Sequence, residues 1–226
     1  MKKFIPTVVI LLGTTLSAMA ILGQPIADDA NTDAGLIRFG GGITLEGDVN
    51  LYAGRFTYGP IDDLALFIGG GFIDPDSGDI EPFLQLGSQY RLPIYDIPFD
   101  LAIRGAFGLS RWDDSGRHAM GSWKSETDFW SLNVGALGSK DLDVITVYGF
   151  AGLSYMYYDS TITRTMTFPA IPEPETRRER FSDSDSDVEL ALAGGVIYWH
   201  NHNVSYYGEL ALIDDLFISI GARYQF

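Results

Sequence analysis

The sequence predicts an all-β chain: a closed antiparallel transmembrane β-barrel of ten strands (eight if two short segments merge or lie outside the membrane), with short turns at one mouth and longer loops at the other. Three observations carry that reading. Segment after segment alternates with a period of two, as a sheet does when its faces meet different surroundings. None of these runs has a convincing helical period. The last strand, ending Ser219-Ile220-Gly221-Ala222-Arg223-Tyr224-Gln225-Phe226, puts Tyr224 and Phe226 on one exposed face, which acyl chains solvate and water does not.

The chain opens with Lys2 and Lys3, an apolar run from Phe4 to Leu16 and the small-x-small pattern Ala18-Met19-Ala20. Residues 1–20 are read as a secretory signal peptide and set aside from the fold. The run is too short for a membrane helix, which needs about 20 apolar residues. Residues 21–34 follow as an aperiodic lead-in, and 35–226 form the barrel. The chain has no Cys, which excludes disulfides and thiol chemistry. Thirty acids against 15 Lys and Arg give a net charge of −15, and removing Lys2 and Lys3 takes it to −17. Such a balance argues against nucleic acid as a partner.

Ten strands are expected near 35–46, 48–58, 63–73, 79–92, 98–112, 126–139, 143–159, 187–199, 204–213 and 216–226. In the first, Ile37, Phe39, Ile43 and Leu45 oppose Arg38, Gly40, Gly42, Thr44 and Glu46. In the fourth, Leu84, Leu86, Tyr90 and Leu92 oppose Glu81, Gln85, Gln89 and Arg91. In the fifth, Phe99, Leu101, Ile103, Phe107 and Leu109 oppose Asp100, Ala102, Arg104, Gly108 and Ser110. In the eighth, Val188, Leu190, Leu192, Val196 and Tyr198 oppose Glu189, Ala191, Ala193 and Gly195. In the tenth, Leu216, Ile218, Ile220, Tyr224 and Phe226 oppose Ser219, Gly221, Arg223 and Gln225. The second face is small or charged, as a narrow lumen requires. The second, third and seventh strands alternate less cleanly, and a bulge is expected in one of them. Tyr58, Tyr90, Tyr95, Trp112, Trp130, Tyr157, Tyr158, Tyr198, Trp199, Tyr206 and Phe226 fall near strand ends, as interfacial girdles do.

Ser219, Gly221, Tyr224 and Phe226 fit the four places of the C-terminal assembly signal of bacterial outer-membrane barrels, which the stretch resembles. With the signal peptide, it makes the chain similar to the small outer-membrane β-barrel superfamily of opacity-type and porin-like proteins. The resemblance implies Sec-dependent export, escort by periplasmic chaperones, insertion by the barrel-assembly machinery and integral residence in the outer membrane of a Gram-negative cell. Lipid and lipopolysaccharide would surround it there. The lead-in is then periplasmic. Turns at 60–62, 93–98, 140–142 and 201–203 face the periplasm, and those at 46–48, 74–79, 113–125, 160–185 and 214–215 face outward.

Arg38, Glu46, Arg55, Glu81, Arg91, Asp100, Arg104, Glu189, Glu209 and Arg223 fall on inward faces and are expected to bridge one another across the lumen, since buried charges persist when paired. The acidic run Asp74 to Glu81 departs from a calcium loop in its glycine and closing glutamate, so no metal is assigned. Ser182 to Asp187 reads as a solvated acidic run, and Arg177-Arg178-Glu179-Arg180 as part of a mobile charged loop, the alternative being a basic cluster that meets lipopolysaccharide phosphates. Asp113, Ser115 and His118 share one loop without triad geometry, and His200 and His202 share a turn. No catalytic residue or cofactor is assigned. The expected role is non-enzymatic: structural or surface, with narrow pore activity. The alternative is a surface-binding protein or adhesin acting through loops 113–125 and 160–185, and a lipid A-modifying enzyme stands behind both.

Overall fold

A computed structural model describes residues 28–47, 49–75, 79–94, 96–118, 121–168, 175–213 and 215–226. Ten strands run β1 (Ile37–Glu46), β2 (Val49–Ile61), β3 (Leu64–Pro75), β4 (Glu81–Arg91), β5 (Asp100–His118), β6 (Gly121–Leu142), β7 (Ile145–Phe168), β8 (Glu175–Trp199), β9 (Val204–Ile213) and β10 (Asp215–Gln225). Each pairs antiparallel with its chain neighbours, and β10 returns to β1, closing the barrel. At that seam Phe39 lies opposite Tyr224 and Leu45 opposite Ile218. Tyr95, one of the expected girdle residues, lies outside the described residues.

The short turns are tighter than the sequence suggested. β2 and β3 meet at Asp62-Asp63 and β6 and β7 at Asp143-Val144, with Asp63 at φ 67° and Asp143 at φ 56°. Asp tolerates this left-handed backbone better than most residues because its carboxylate can bond locally. The expected bulge falls on β2 against β3, where the register shifts between Tyr58 and Ile61. Pro60 sits in that gap and has no N–H to give a ladder.

Two expectations need correction. The outward loops at 113–125 and 160–185 are strand for most of their length: β5 to β8 have 19, 22, 24 and 25 residues. Crossing a membrane takes about 9–11. The excess, at about 3.3 Å per residue, lifts a four-stranded sheet roughly 25–45 Å above the barrel. Its ladders are continuous, from Ser115 opposite Lys124 to Lys124 opposite Thr163 and Thr163 opposite Arg180. Its flanks are bare, because pairing of β4 with β5 ends at Ser110 and pairing of β8 with β9 ends at Leu192.

The second correction concerns the lumen, which is not lined only by small and charged residues. Leu51 on β2, Phe67 and Ile73 on β3, and Tyr148, Phe150 and Met156 on β7 are buried inside. These are the strands whose alternation was poor, and the reason is that both faces are apolar. Small residues opposite make the room. A Cβ on Gly87 would lie 2.1 Å from Phe67 Cζ and 2.5 Å from the Gly105 carbonyl oxygen.

Gly87→Val is therefore expected to lower unfolding stability by about 1–3 kcal/mol through overpacking. Gly208→Ala, where nothing lies within 4 Å of a built Cβ, is expected to be neutral. Urea unfolding in detergent, followed by tryptophan fluorescence, compares the two.

Candidate functional site

The exterior decides where the barrel lives. Outward positions all around it carry large apolar side chains, with Leu210 54% and Ile220 58% exposed. A water-soluble monomer rarely exposes an apolar patch beyond a few hundred Å². At the outer margin Trp130 packs against Tyr155, Tyr157 and Phe107, with ring centroids 5.1, 5.7 and 6.1 Å apart. At the other, Phe226 packs on Tyr224 at 4.8 Å and on Phe39 at 6.1 Å. These are girdles around a hydrocarbon belt. The chain is an integral membrane β-barrel. Three residues expected in its girdles, Trp112, Tyr158 and Trp199, turn inward instead: Trp112 is buried in the core, and the other two pack partly buried against it.

The C-terminal motif has a physical role at every position. Ser219 shares a hydrogen bond of 2.7 Å with Thr44 inside the seam. Gly221 leaves space for Tyr207, whose hydroxyl would stand 2.5 Å from a Cβ there. Tyr224 and Phe226 face lipid, and the Phe226 N–H donates to the Ile37 carbonyl at 3.0 Å, finishing the seam.

Inside, the lead-in is not confined to the periplasmic side of the wall. Asp28, Asp29, Ala30 and Thr32 are buried within the half of the lumen nearer the short turns. Asp28 is the hub. Its Oδ1 accepts from Arg38 Nη1 at 2.6 Å, and its Oδ2 accepts from Arg104 Nη1 at 3.1 Å and Arg55 Nη1 at 3.5 Å. Arg223 Nη1 lies 3.9 Å from Asp28 and 3.5 Å from Asp29, and Arg38 Nη2 lies 3.2 Å from Asp29. Four strands (β1, β2, β5 and β10) thus send one arginine each to a two-carboxylate segment. Gln85 accepts from Arg55 at 3.0 Å, and Gln89 accepts from Arg104 at 3.1 Å while donating to the Asp29 carbonyl at 2.8 Å. Phe67 lies under the guanidiniums of Arg104 at 4.2 Å and Arg55 at 4.6 Å.

The other charges expected in this network sit at other levels. Arg91 donates to Asp63 at 2.6 Å and to Asn31 at 2.5 Å at the periplasmic mouth, with Asp100 3.9 Å away. Glu209 accepts from the Tyr148 hydroxyl at 2.6 Å. Glu46 is buried and Glu189 half-buried nearer the outer end, and Glu81 accepts from the Asp113 N–H at 3.1 Å. Of the ten residues, Arg38, Arg55, Arg104 and Arg223 come together, and what gathers them is Asp28 and Asp29, which sequence reasoning had assigned to the lead-in. The only available signal was two adjacent acids just ahead of the first strand.

Above the arginines an apolar tier crosses the lumen. Leu51, Ile73, Phe83, Trp112, Ile213 and Phe217 meet there, Ile73 and Ile213 being 0% exposed. A cavity of about 20 Å³ remains beside Asp28, Arg38, Arg55 and Tyr207, room for about one water. Higher still, on the outward face of the projecting sheet, Lys124 donates to Glu126. That bond holds the Glu126 carboxyl below its ordinary range and the Lys124 ammonium above its own. Arg111 reaches Asp113 at 3.4 Å, Glu126 at 3.7 Å and Asp128 at 3.9 Å.

No protein-family model and no curated protein matches the chain. Among solved structures it is similar to the outer membrane protease OmpT from Escherichia coli, with 11% identity over 85% of this chain and 94% of that one and a TM-score of 0.49. It is also similar to the N-terminal β-barrel domain of Pseudomonas aeruginosa OprF (12% identity, 85% and 98% covered, TM-score 0.38). A third is Ail, the attachment invasion locus protein of Yersinia pestis (14% identity, 84% and 95% covered, TM-score 0.35).

Asp28→Asn is expected to cost about 3–5 kcal/mol, because it leaves buried guanidiniums short of a counter-charge. Equilibrium unfolding in detergent measures it. A loss no larger than that of a matched surface Asp→Asn change would remove Asp28 from the hub.

Proposed function

We propose that this protein is a sealed, non-enzymatic outer-membrane barrel whose working surface is the four-stranded sheet it carries above the outer leaflet. One observation carries the reading: the strands that project are ordered and paired to near their tips, while the lumen beneath them is filled. A barrel of ten strands is only slightly wider than one whose interior side chains just fill it. The apolar tier and the arginine cage use that space, which favours a closed lumen over a narrow pore. The barrel is then an anchor and the sheet is what it presents.

The reading as a surface-binding protein or adhesin uses the same segments, 113–125 and 160–185. It gains support from their being built as sheet, because a partner meeting a preorganised surface does not bear the cost of ordering it. Lipopolysaccharide around the belt, and chaperones and the barrel-assembly machinery during biogenesis, are the partners this location entails.

Planar-bilayer recordings of the purified protein are expected to lack discrete conductance steps. Reproducible steps would replace the sealed barrel with a pore. Replacing residues 163–180 by a two-residue turn is expected to leave heat-modifiable migration intact while removing attachment of the bacteria to surfaces. Attachment undiminished by that deletion would move the working surface elsewhere.

A further inference from the structure

Charge on the projecting sheet is sorted by height. Just above the girdle, residues 111–114, 125–128, 159–162 and 181–184 form four paired rows with six Asp and Glu against Arg111 alone, a net of −5. Above them, the described residues 115–118, 121–124, 163–168 and 175–180 hold six Lys and Arg against two Glu, a net of +4 on a chain whose total is −15. After the leader, Lys140 is the one basic residue that lies neither on this sheet nor on the barrel's inward face. The sorting matters because fields are screened within about 8 Å at physiological salt, so a partner at the tip feels the tip and not the acidic total.

The tip is also patterned. On its outward face Lys124, Thr163 and Arg180 stand side by side across three strands, and Ser122, Thr165 and Arg178 form the next row. Arg178 and Arg180, two residues apart on β8, are separated by about 7 Å. Both are exposed, and no ion pair among the described residues engages Arg164, Arg178 or Arg180, whereas Lys124 is held by Glu126, whose carboxylate also feels Arg180. Cations spaced by hydroxyls suit a chain that alternates anionic groups with sugar hydroxyls. Arg is a weakly hydrated cation that meets an oxyanion with two parallel N–H groups.

We propose that this basic tip is a docking surface for a sulfated linear polysaccharide approaching from outside the cell. The acidic collar sets the source. It lies between the tip and the leaflet, where it repels the membrane's own phosphates, whereas a polyanion arriving from the medium meets the tip first. The proposal rests on the projecting sheet being the working surface and names what that surface takes.

The test uses the folded full-length mature protein in nanodiscs of zwitterionic lipid, with fluorescent dextran sulfate as probe and neutral dextran of the same size as control, read by anisotropy. Dextran sulfate is expected to bind, more weakly as salt rises, and neutral dextran not. The triple variant Lys124→Ser, Arg178→Ser and Arg180→Ser is expected to lose about tenfold in affinity, as three exposed charge contacts would give. Arg178→Lys with Arg180→Lys should fall between wild type and the triple variant, keeping the charge but losing the two-N–H contact, and Arg111→Ser in the collar should change affinity by less than about twofold. All variants are exposed, and heat-modifiable migration verifies their folding. Unchanged affinity in the triple variant, or equal binding of neutral dextran, would overturn the proposal. So would discs containing lipopolysaccharide in which the wild-type tip no longer takes the probe, because its occupant would then be the leaflet. Neither result bears on conductance, so the sealed barrel stands or falls separately.

Discussion

Hydrocarbon offers a backbone no hydrogen bonds, and each N–H or C=O left open in it costs several kcal/mol. Everything else in this molecule follows from that. The sheet must close, so β10 has to find β1, and the chain ends in residues that make the seam: Ser219 against Thr44 inside, Tyr224 and Phe226 against Phe39 outside. Closure at ten strands fixes a narrow interior, which must then be filled or left wet. This chain fills it in two tiers, with arginines and glutamines toward the short turns and aliphatic and aromatic side chains toward the projecting sheet.

The arginine tier explains why the lead-in enters the barrel. Arg38, Arg55 and Arg223 come from strands at or beside the seam, while Arg104 comes from β5 in the opposite wall. Guanidiniums cannot neutralise one another, and a carboxylate on any one strand would serve its neighbours and strand the rest. A carboxylate carried on the axis by a separate segment reaches all four. Asp28 is thus a tie between the seam and the far wall. Its position explains why so many charges are tolerated where a buried ion normally costs more than its partner returns.

Much of the fold was legible because lipid enforces the period of two. The outward residues named from sequence on β1, β4, β5, β8 and β10 face out, and all ten strands exist. Alternation failed where both faces are apolar, at Leu51, Phe67 and Phe150, since a filled lumen and a lipid belt ask for the same residue types. Strand length also escaped. Beyond the row of Trp112, Thr127 and Ser160, neither face of β5 to β8 is buried, so Thr, Ser, Asp and Arg succeed one another without a hydrophobic beat, and composition alone reads as loop. The pairing of Arg38, Arg55, Arg104 and Arg223 was foreseen, but their partners were sought on other strands. A segment without periodicity gives no hint that it folds back along an axis.

The bare flanks of the projecting sheet raise a hazard that the sequence answers. Among the described residues no strand pairs with β8 on that side between Glu175 and Ala191, a long backbone edge able to template a second chain. Natural sheets defend such edges with charge. Ser182-Asp183-Ser184-Asp185-Ser186-Asp187 occupies the middle of this edge, and all six residues are exposed. Two copies meeting there would align carboxylates against carboxylates, and desolvating them would cost more than new backbone bonds return. Composition that looks like a flexible acidic tether is therefore compatible with an ordered strand, provided its task is to remain unpaired. The same argument limits where a partner can dock: the acidic edge is closed to most strands, and the approachable surface is the tip, where the sign of the charge reverses.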